Sequence, residues 1–442
     1  MSTADQGAPS AGLILALNSG SSSLKISLYR RSTELLLEDT PDADPVTLLL
    51  TAAISSISSD VPTFSFSVID KAAISPNTRT VKDEPVPTVK DHATAFSHFL
   101  DYLKDEASIE RKEIVHVCHR IVHGGDYYKP VIVNDESYHH IERLSDLAPL
   151  HNGAALSVIE ACIQTLPDAR SIAYFDTAFH HDIPKHIRSC AISPEIAQKK
   201  GLRKYGFHGL SYAYIIRAVA RQLEKPPSET SLIVLHLGSG ASVCAIQHGL
   251  SYDTSMGLTP VSGLPGATRS GAIDPTLIFH YTHRAGRLSH DKSLMRNVNV
   301  TQAEDILNTK AGWRALTGTT DFRAVTKMWQ DGDERGVLAF ELFVDRILNY
   351  VGSYWLKLGG KVDALVFSGG IGERSVELRE VVAKRCACLG LKLDLEKNKT
   401  VDSVPGKVVE IGDDGSKILV CRTDEQLEMA RECALEPAFW QQ

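Results

Sequence analysis

Several features are scarce in this sequence, and each absence narrows the reading. Eight cysteines in 442 residues are too few for a disulfide scaffold. No CxxC occurs, and no Cys/His spacing suggests a zinc site. The one close pair is Cys386 and Cys388, read as free thiols. The longest early stretch without charge lies between Asp44 and Asp60. It falls short of the ~18 residues a membrane span needs and is diluted by Ser and Thr. The polar start, Met1 to Ser10, has no basic segment ahead of an apolar one, so no secretory signal is expected. Trp440-Gln441-Gln442 matches no retention or peroxisomal signal. Together these absences predict a reduced, cytoplasmic protein. Net positive charge is missing too: the formal net charge is -7. That argues against a protein that coats nucleic acid or anionic membrane, and leaves room for a local Arg cluster around a small anion. Finally, there is no GxxxxGK[ST] and no GxGxxG opening a helix, which excludes P-loop and Rossmann nucleotide sites.

What is present is apolar material for real cores, 43% of the chain, at a length that suggests more than one domain. Leu13–Leu17 reads as a buried strand, Asn18–Ser23 as a small-residue turn, and Leu24–Leu28 as a second, alternating strand. Glu38–Pro45 is an acidic loop. Helical spacing runs over Thr88–Glu106, Ala154–Leu166 and Val337–Leu358. Strands are predicted at Ile114–Cys118, Ser171–Phe175, Ala364–Phe367 and Ile418–Cys421. Half a chain later the opening pattern returns: strand Leu232–His236, small-residue turn Leu237–Ser242, strand Val243–Ile246. Ser19-Gly20-Ser21-Ser22 aligns with Ser239-Gly240-Ala241-Ser242, which points to two related halves. Strands alternating with long helices make the class α/β.

The candidate chemistry sits at strand ends and glycine turns. Gly/Ser turns let backbone N–H groups approach phosphate oxygens, and Lys25 follows the first of them. Phe367-Ser-Gly-Gly-Ile-Gly-Glu-Arg374 is a strand running into a glycine-rich turn, with a helix expected over Val376–Cys388. His119-Arg120 is expected at the end of one strand, and Arg269 lies in a Gly-rich loop. The Arg fork suits carboxylate or phosphoryl oxygens, although a surface ion pair would read the same way. Asp176 follows a strand, and His208 lies between glycines. At Arg422-Thr-Asp-Glu425, Thr423 is a candidate cap of the last helix, with Asp424 and Glu425 suited to its first turn.

Taken in order, these motifs resemble the acetokinase family, in the actin-like superfamily of acetate and sugar kinases. The residues that carry the likeness are Leu17–Lys25, His119–Gly125, Ala148–Asn152, Phe175–His180, Tyr205–Gly209, His236–Gly240, Thr254–Gly257, Thr268–Gly271, Asp321–Arg323, Gly370–Glu373 and Thr423–Glu425. The resemblance implies two related actin-like (ribonuclease H-like) domains with a ligand cleft between them. Residues 12–178 with 426–442 would form one domain and 179–425 the nucleotide-binding other. It implies reversible phosphoryl transfer from ATP to acetate with Mg²⁺, in a homodimer whose lobes close over the substrates. By the same likeness, Asn18 and Glu425 hold the metal and Lys25 a nucleotide phosphate. Arg120 binds substrate, Asp176 is the essential acidic residue, read as orienting Arg or the metal shell rather than as an obligatory base, and His208 and Arg269 stabilise the transition state. His236, Gly238, Ser239 and Gly240, Asp321, Phe322 and Arg323, and Gly370, Ile371, Gly372, Glu373 and Arg374 bind nucleotide. Val122, Leu150, Phe207 and Pro260 form the pocket for the acetate methyl. Three positions depart from the family pattern: Ser239 and Arg374 where it has Asn, and Ala272 where it has Asp. All three touch nucleotide handling. Gly370-Ile371 are retained, which favours ATP over pyrophosphate as donor. A propionate- or butyrate-preferring kinase is the neighbouring alternative.

Overall fold

A computed structural model describes residues 12–20, 22–32, 44–57, 59, 61–74, 78–144, 149–289, 300–413 and 415–441, with the side chains of 149–151 excepted. Most of the expected acidic loop at Glu38–Pro45 lies outside these residues. The chain divides into two units, one of residues 1–175 with 424–442 and the other of residues 176–423. The breaks fall slightly before the expected ones, so Asp424 and Glu425 belong with the first unit.

The first unit is built on eight strands. They are β1 (Leu13–Gly20), β2 (Ser23–Arg31), β3 (Val46–Ser55), β4 (Thr63–Val68), β5 (Val81–Pro85), β6 (Ile114–Ile121), β7 (Val131–Ile132) and β8 (Arg170–Phe175). Their order is β5-β4-β3-β2-β1-β6-β8-β7. β2 runs antiparallel to both β1 and β3, whereas β1, β6 and β8 run parallel. A strand covered on both faces reads as a continuous apolar run, and β1 shows this: Leu13, Leu15 and Leu17 enter a core with Phe96, Phe99 and Leu103. Ile14 and Ala16, on the opposite face, are also fully buried. The helix Glu425–Leu435 packs against β1, β2, β3 and β6, and the Gln426 amide donates to the carbonyl of Ala16.

The second unit has β9 (Leu232–His236), β10 (Ser242–Gln247), β11 (Leu250–Thr254), β12 (Ala364–Ser368), β13 (Val408–Glu410) and β14 (Ile418–Cys421). Their order is β11-β10-β9-β12-β14-β13. Here too an antiparallel trio, β9 to β11, is continued by the parallel pair β12 and β14. The helix Glu334–Lys357 buries Phe340, Phe343, Val344, Ile347, Val351 and Tyr354, a stripe of helical period, against this sheet. Each unit therefore contains the same five strands in the order third-second-first-fourth-fifth: β3-β2-β1-β6-β8 and β11-β10-β9-β12-β14. This is the actin-like arrangement, present twice, and it gives physical content to the two related halves.

Several local expectations shift. The helix expected from Thr88 begins at His92, because Asp91 caps it: its carboxylate accepts from the Thr94 N–H, and the Thr94 hydroxyl returns to the Asp91 N–H. β1 runs through Gly20 and β6 through Ile121, so Asn18, Ser19 and Arg120 are strand residues. The glycine-rich segment after β12 is itself a short helix, Gly369–Arg374, and the next one, Val376–Arg385, stops before Cys386. Asp424 caps the helix Glu425–Leu435, in place of Thr423. Cys386 is buried, which pushes its thiol up to about 12, so it is no reactive thiolate, and all eight cysteines are free. Among the described residues no helix is long and apolar enough to cross a membrane.

Candidate active site

In the first unit the site grows from the carboxyl ends of the parallel strands β1 and β6. Leu17 pairs with His119, which brings Asn18 beside Arg120. Arg120 Nη1 donates to Asn18 Oδ1 at 3.0 Å, and Asn18 Nδ2 donates to Glu425 Oε2 at 2.7 Å. Arg120 Nε lies 3.4 Å from the same carboxylate oxygen. Glu425 reaches this place as the first residue of its helix, behind the Asp424 cap. Lys25 is exposed and directly opposite Asn18 across the β1–β2 pair, so the two side chains share one face of the sheet. Asn18 Oδ1 and the Glu425 carboxylate are hard oxygen donors that already attract one cation, the Arg120 guanidinium. Such a donor set fits Mg²⁺, which takes one or two protein oxygens and fills its shell with water and phosphate. Among the described residues there is no cluster of three or more His, Cys, Asp or Glu suited to a metal. Val122 is half-buried just past β6. The side chain of Leu150 lies outside the described residues.

In the second unit the turn between β9 and β10, Leu237–Ala241, is the floor. The Ile371 and Gly372 N–H groups donate to the carbonyl of Leu237, docking the short helix on the turn. Gly369 makes that approach possible. It has φ +72°, and a Cβ there would stand 2.7 Å from the Leu237 carbonyl oxygen. The Arg269 loop is tied to the same turn through the Ala267 N–H, which donates to the carbonyl of Ser239 at 2.8 Å. At Gly240 a Cβ would lie 3.0 Å from Arg269 Nη1 and 3.9 Å from His208 Nε2. A guanidinium and an imidazole thus converge on one glycine.

His208 is held in place from its backbone outward. It caps the helix Gly209–Gln222 with φ 60°, an unfavourable conformation for a residue with a side chain. Its N–H donates to Asp176 Oδ2 at 3.3 Å, and the Gly209 N–H donates to the Asp176 carbonyl at 2.9 Å. Asp176 is fully buried. The His208 ring packs on His236 with centroids 4.4 Å apart, and its Nδ1 lies 2.8 Å from Ser242 Oγ. Buried Phe207 precedes it, and its carbonyl accepts from His180 Nε2 at 2.9 Å. Burial pulls His180 down to about 4, so it stays neutral. Pro260 is buried in this unit as well.

Beside the turn lies a cavity of about 480 Å³. Of the predicted nucleotide residues, Gly238, Ser239, Asp321, Phe322, Arg323, Gly370, Ile371 and Arg374 line it. His236, Gly240, Gly372 and Glu373 do not. His236 packs behind His208, and Gly372 is bonded to Leu237 beneath the pocket. Glu373 accepts from the Thr423 N–H and hydroxyl. Asp321 caps the helix Phe322–Gln330, and the Arg323 N–H is the main cause that holds its carboxyl below the usual range. Trp313, Lys327 and Gln330 also line the cavity and were missed. Arg323, Lys327 and Gln330 recur at helical spacing, a signal that could have found the last two. Trp313 gives none, because it comes from a separate helix, Gly312–Thr317.

Sheet order and the glycine floor define an actin-like α/β protein with a cavity beside its β9–β10 turn. The Acetokinase family pattern matches residues 13–431. A probable acetate kinase of Emericella nidulans is 45% identical over 95% of this chain and 97% of its own length. An acetate kinase of Streptomyces avermitilis is 37% identical over 95% and 96%. The crystal structure of Porphyromonas gingivalis acetate kinase superposes with TM-score 0.75 at 31% identity, covering 95% of this chain and 98% of that one. A propionate kinase from Francisella tularensis superposes with TM-score 0.77 at 32% identity over the same shares. The chain belongs to the acetokinase family.

Proposed function

We propose that this protein catalyses the reversible transfer of the γ-phosphoryl group of ATP to acetate, giving acetyl phosphate and ADP. The observation that carries this reading is the convergence of Arg269 and His208 on Gly240, beside a cavity whose lining holds Arg323, Lys327 and Arg374 as well as Asp321 and Glu377. Phosphoryl transfer asks a protein for positioning and charge neutralisation more than for covalent chemistry. Arg269 and the His208 Nε2 edge face charge that develops on the transferred oxygens. The Gly238–Gly240 turn admits the phosphates without side-chain obstruction, and Lys25 adds a cation. Acetate is already an anion, so no general base is needed, and the Arg120 fork takes its carboxylate. Asp176 acts by fixing the His208 backbone. Mg²⁺, held by Asn18 and Glu425, supplies further neutralisation of the phosphates when bound. On the family resemblance alone, we assign the methyl group to Val122, Leu150, Phe207 and Pro260. A pocket sized for one methyl discriminates by about 1–3 kcal/mol per methylene, so propionate is a slower substrate.

We place the enzyme in the cytoplasm as a homodimer, with no nucleic-acid or membrane partner. Eight free thiols suit a reducing compartment. Exposed Leu277, Phe279 and Tyr281 offer apolar surface suited to a second copy. A hydroxamate assay for acetyl phosphate, with ATP, GTP and pyrophosphate as donors and acetate, propionate and butyrate as acceptors, tests the reading. ATP with acetate should give the highest kcat/KM, and no acyl phosphate with any pair would end it. Light scattering reads the dimer.

A further inference from the structure

We propose that Ser242 and Tyr212 are positioning residues that keep the His208 proton on Nε2, the nitrogen turned toward Gly240. Ser242 opens β10 and Tyr212 lies in the helix Gly209–Gln222, and both are fully buried. Three polar atoms form a chain of contacts. Tyr212 Oη is 2.5 Å from Ser242 Oγ, and Ser242 Oγ is 2.8 Å from His208 Nδ1.

The direction of these bonds follows from which groups must donate. Burial pushes the Tyr212 phenol well above its ordinary range, so it keeps its proton and donates it. Ser242 Oγ receives it. Ser242 Oγ has only these two polar partners among the described residues, so its own O–H is left for His208 Nδ1, which then accepts. In the neutral ring the remaining proton sits on Nε2. That atom is 3.9 Å from the Cβ position of Gly240, and Arg269 Nη1 is 3.0 Å from the same point. The relay therefore presents an N–H, not a lone pair, where negative charge is to be met. The other tautomer would aim a lone pair at an anion. Tyr212 is itself fixed by packing: its ring stacks on Phe179 and meets His180 edge-on. Other polar groups that face His208 include Asp176, bonded to its backbone N–H, the His236 ring, and Arg269.

This assignment rests on the kinase reading for its consequence but not for its geometry, and the test separates the two. Long-range ¹H–¹⁵N correlation spectra of ¹⁵N-histidine-labelled protein, with His208 assigned by its loss in His208→Gln, report the tautomer without turnover. The wild type should show Nε2–H. Ser242→Ala should populate Nδ1–H and lower kcat about tenfold or more, with KM for acetate and ATP nearly unchanged. Tyr212→Phe, which preserves packing, should give a smaller loss in the same direction. A wild-type spectrum with the proton on Nδ1, or full turnover in Ser242→Ala, overturns the relay. A wild type that makes no acyl phosphate overturns the kinase reading instead, and the spectrum still decides the tautomer.

Discussion

Arg120 donates to Asn18 Oδ1 at 3.0 Å, and that bond fixes which way the Asn18 amide faces. A guanidinium can only donate and a carboxylate can only accept, so the oxygen must turn to Arg120 and the NH₂ to Glu425. Removing Arg120 leaves an acceptor pair without its cation and the substrate carboxylate without its fork. Arg120→Ala should lower turnover at least about 10²-fold, a size typical of losing an electrostatic stabiliser. Arg120→Lys should recover little, because a point charge cannot engage Asn18 and Glu425 together. Steady-state kinetics check both, and near-normal turnover in either would remove Arg120 from its assigned role.

Gly240→Ala isolates the convergence of Arg269 and His208. The new methyl would stand 3.0 Å from Arg269 Nη1, the far end of a flexible side chain, so the fold should survive. The guanidinium has to move, however, and small misplacements of a charge-stabilising group are costly. We expect an unchanged Tm and a kcat loss of at least about tenfold, with Arg269→Ala at least about 10²-fold down.

The neighbouring glycines Gly369 and Gly370 should separate stability from binding. Gly369→Ala places a methyl 2.7 Å from a backbone oxygen at φ +72° and should cost about 1–3 kcal/mol, read as a lower Tm. Gly370 has open space around its Cβ position and lines the cavity. Gly370→Ala should fold normally and raise KM for ATP.

Stability should fall on mild acidification. Burial pulls His119 down to about 3 and His180 to about 4, from an ordinary 6.5. Below 6.5 the unfolded chain binds protons that the folded one refuses, so stability declines as the pH drops toward 4. The decline ends once each folded pKa is passed. Melting curves from pH 7.5 to 5 should show a falling Tm, and a flat profile would contradict the neutral, buried state of both rings.

Much of this was legible because the code was local. Leu13–Leu17 announced a strand covered on both faces, and the small-residue turn after Leu232–His236 announced its counterpart. Arg120 was placed at its strand's end because polarity was read as a terminus, whereas in the structure the strand continues to Ile121 and the Arg120 side chain meets Asn18 of β1 and Glu425 of the helix Glu425–Leu435. Gly369–Arg374 was read as a turn because glycine weakens helix propensity, but docking on the Leu237 carbonyl overrides it. Glu373 sits next to the cavity-lining glycine segment yet bonds to Thr423, a partner that only the fold reveals. Trp313 reaches the cavity from a helix with no motif of its own.

The first unit is discontinuous in sequence, and that orders events during synthesis. Its sheet donates hydrogen bonds to the far end of the chain: Arg31 to the Ala434 carbonyl, and His116 and Arg170 to that of Phe439. On a ribosome the second unit has all its residues before the first does. The unit begun earliest must wait, half assembled, for the segment that closes its exposed sheet face.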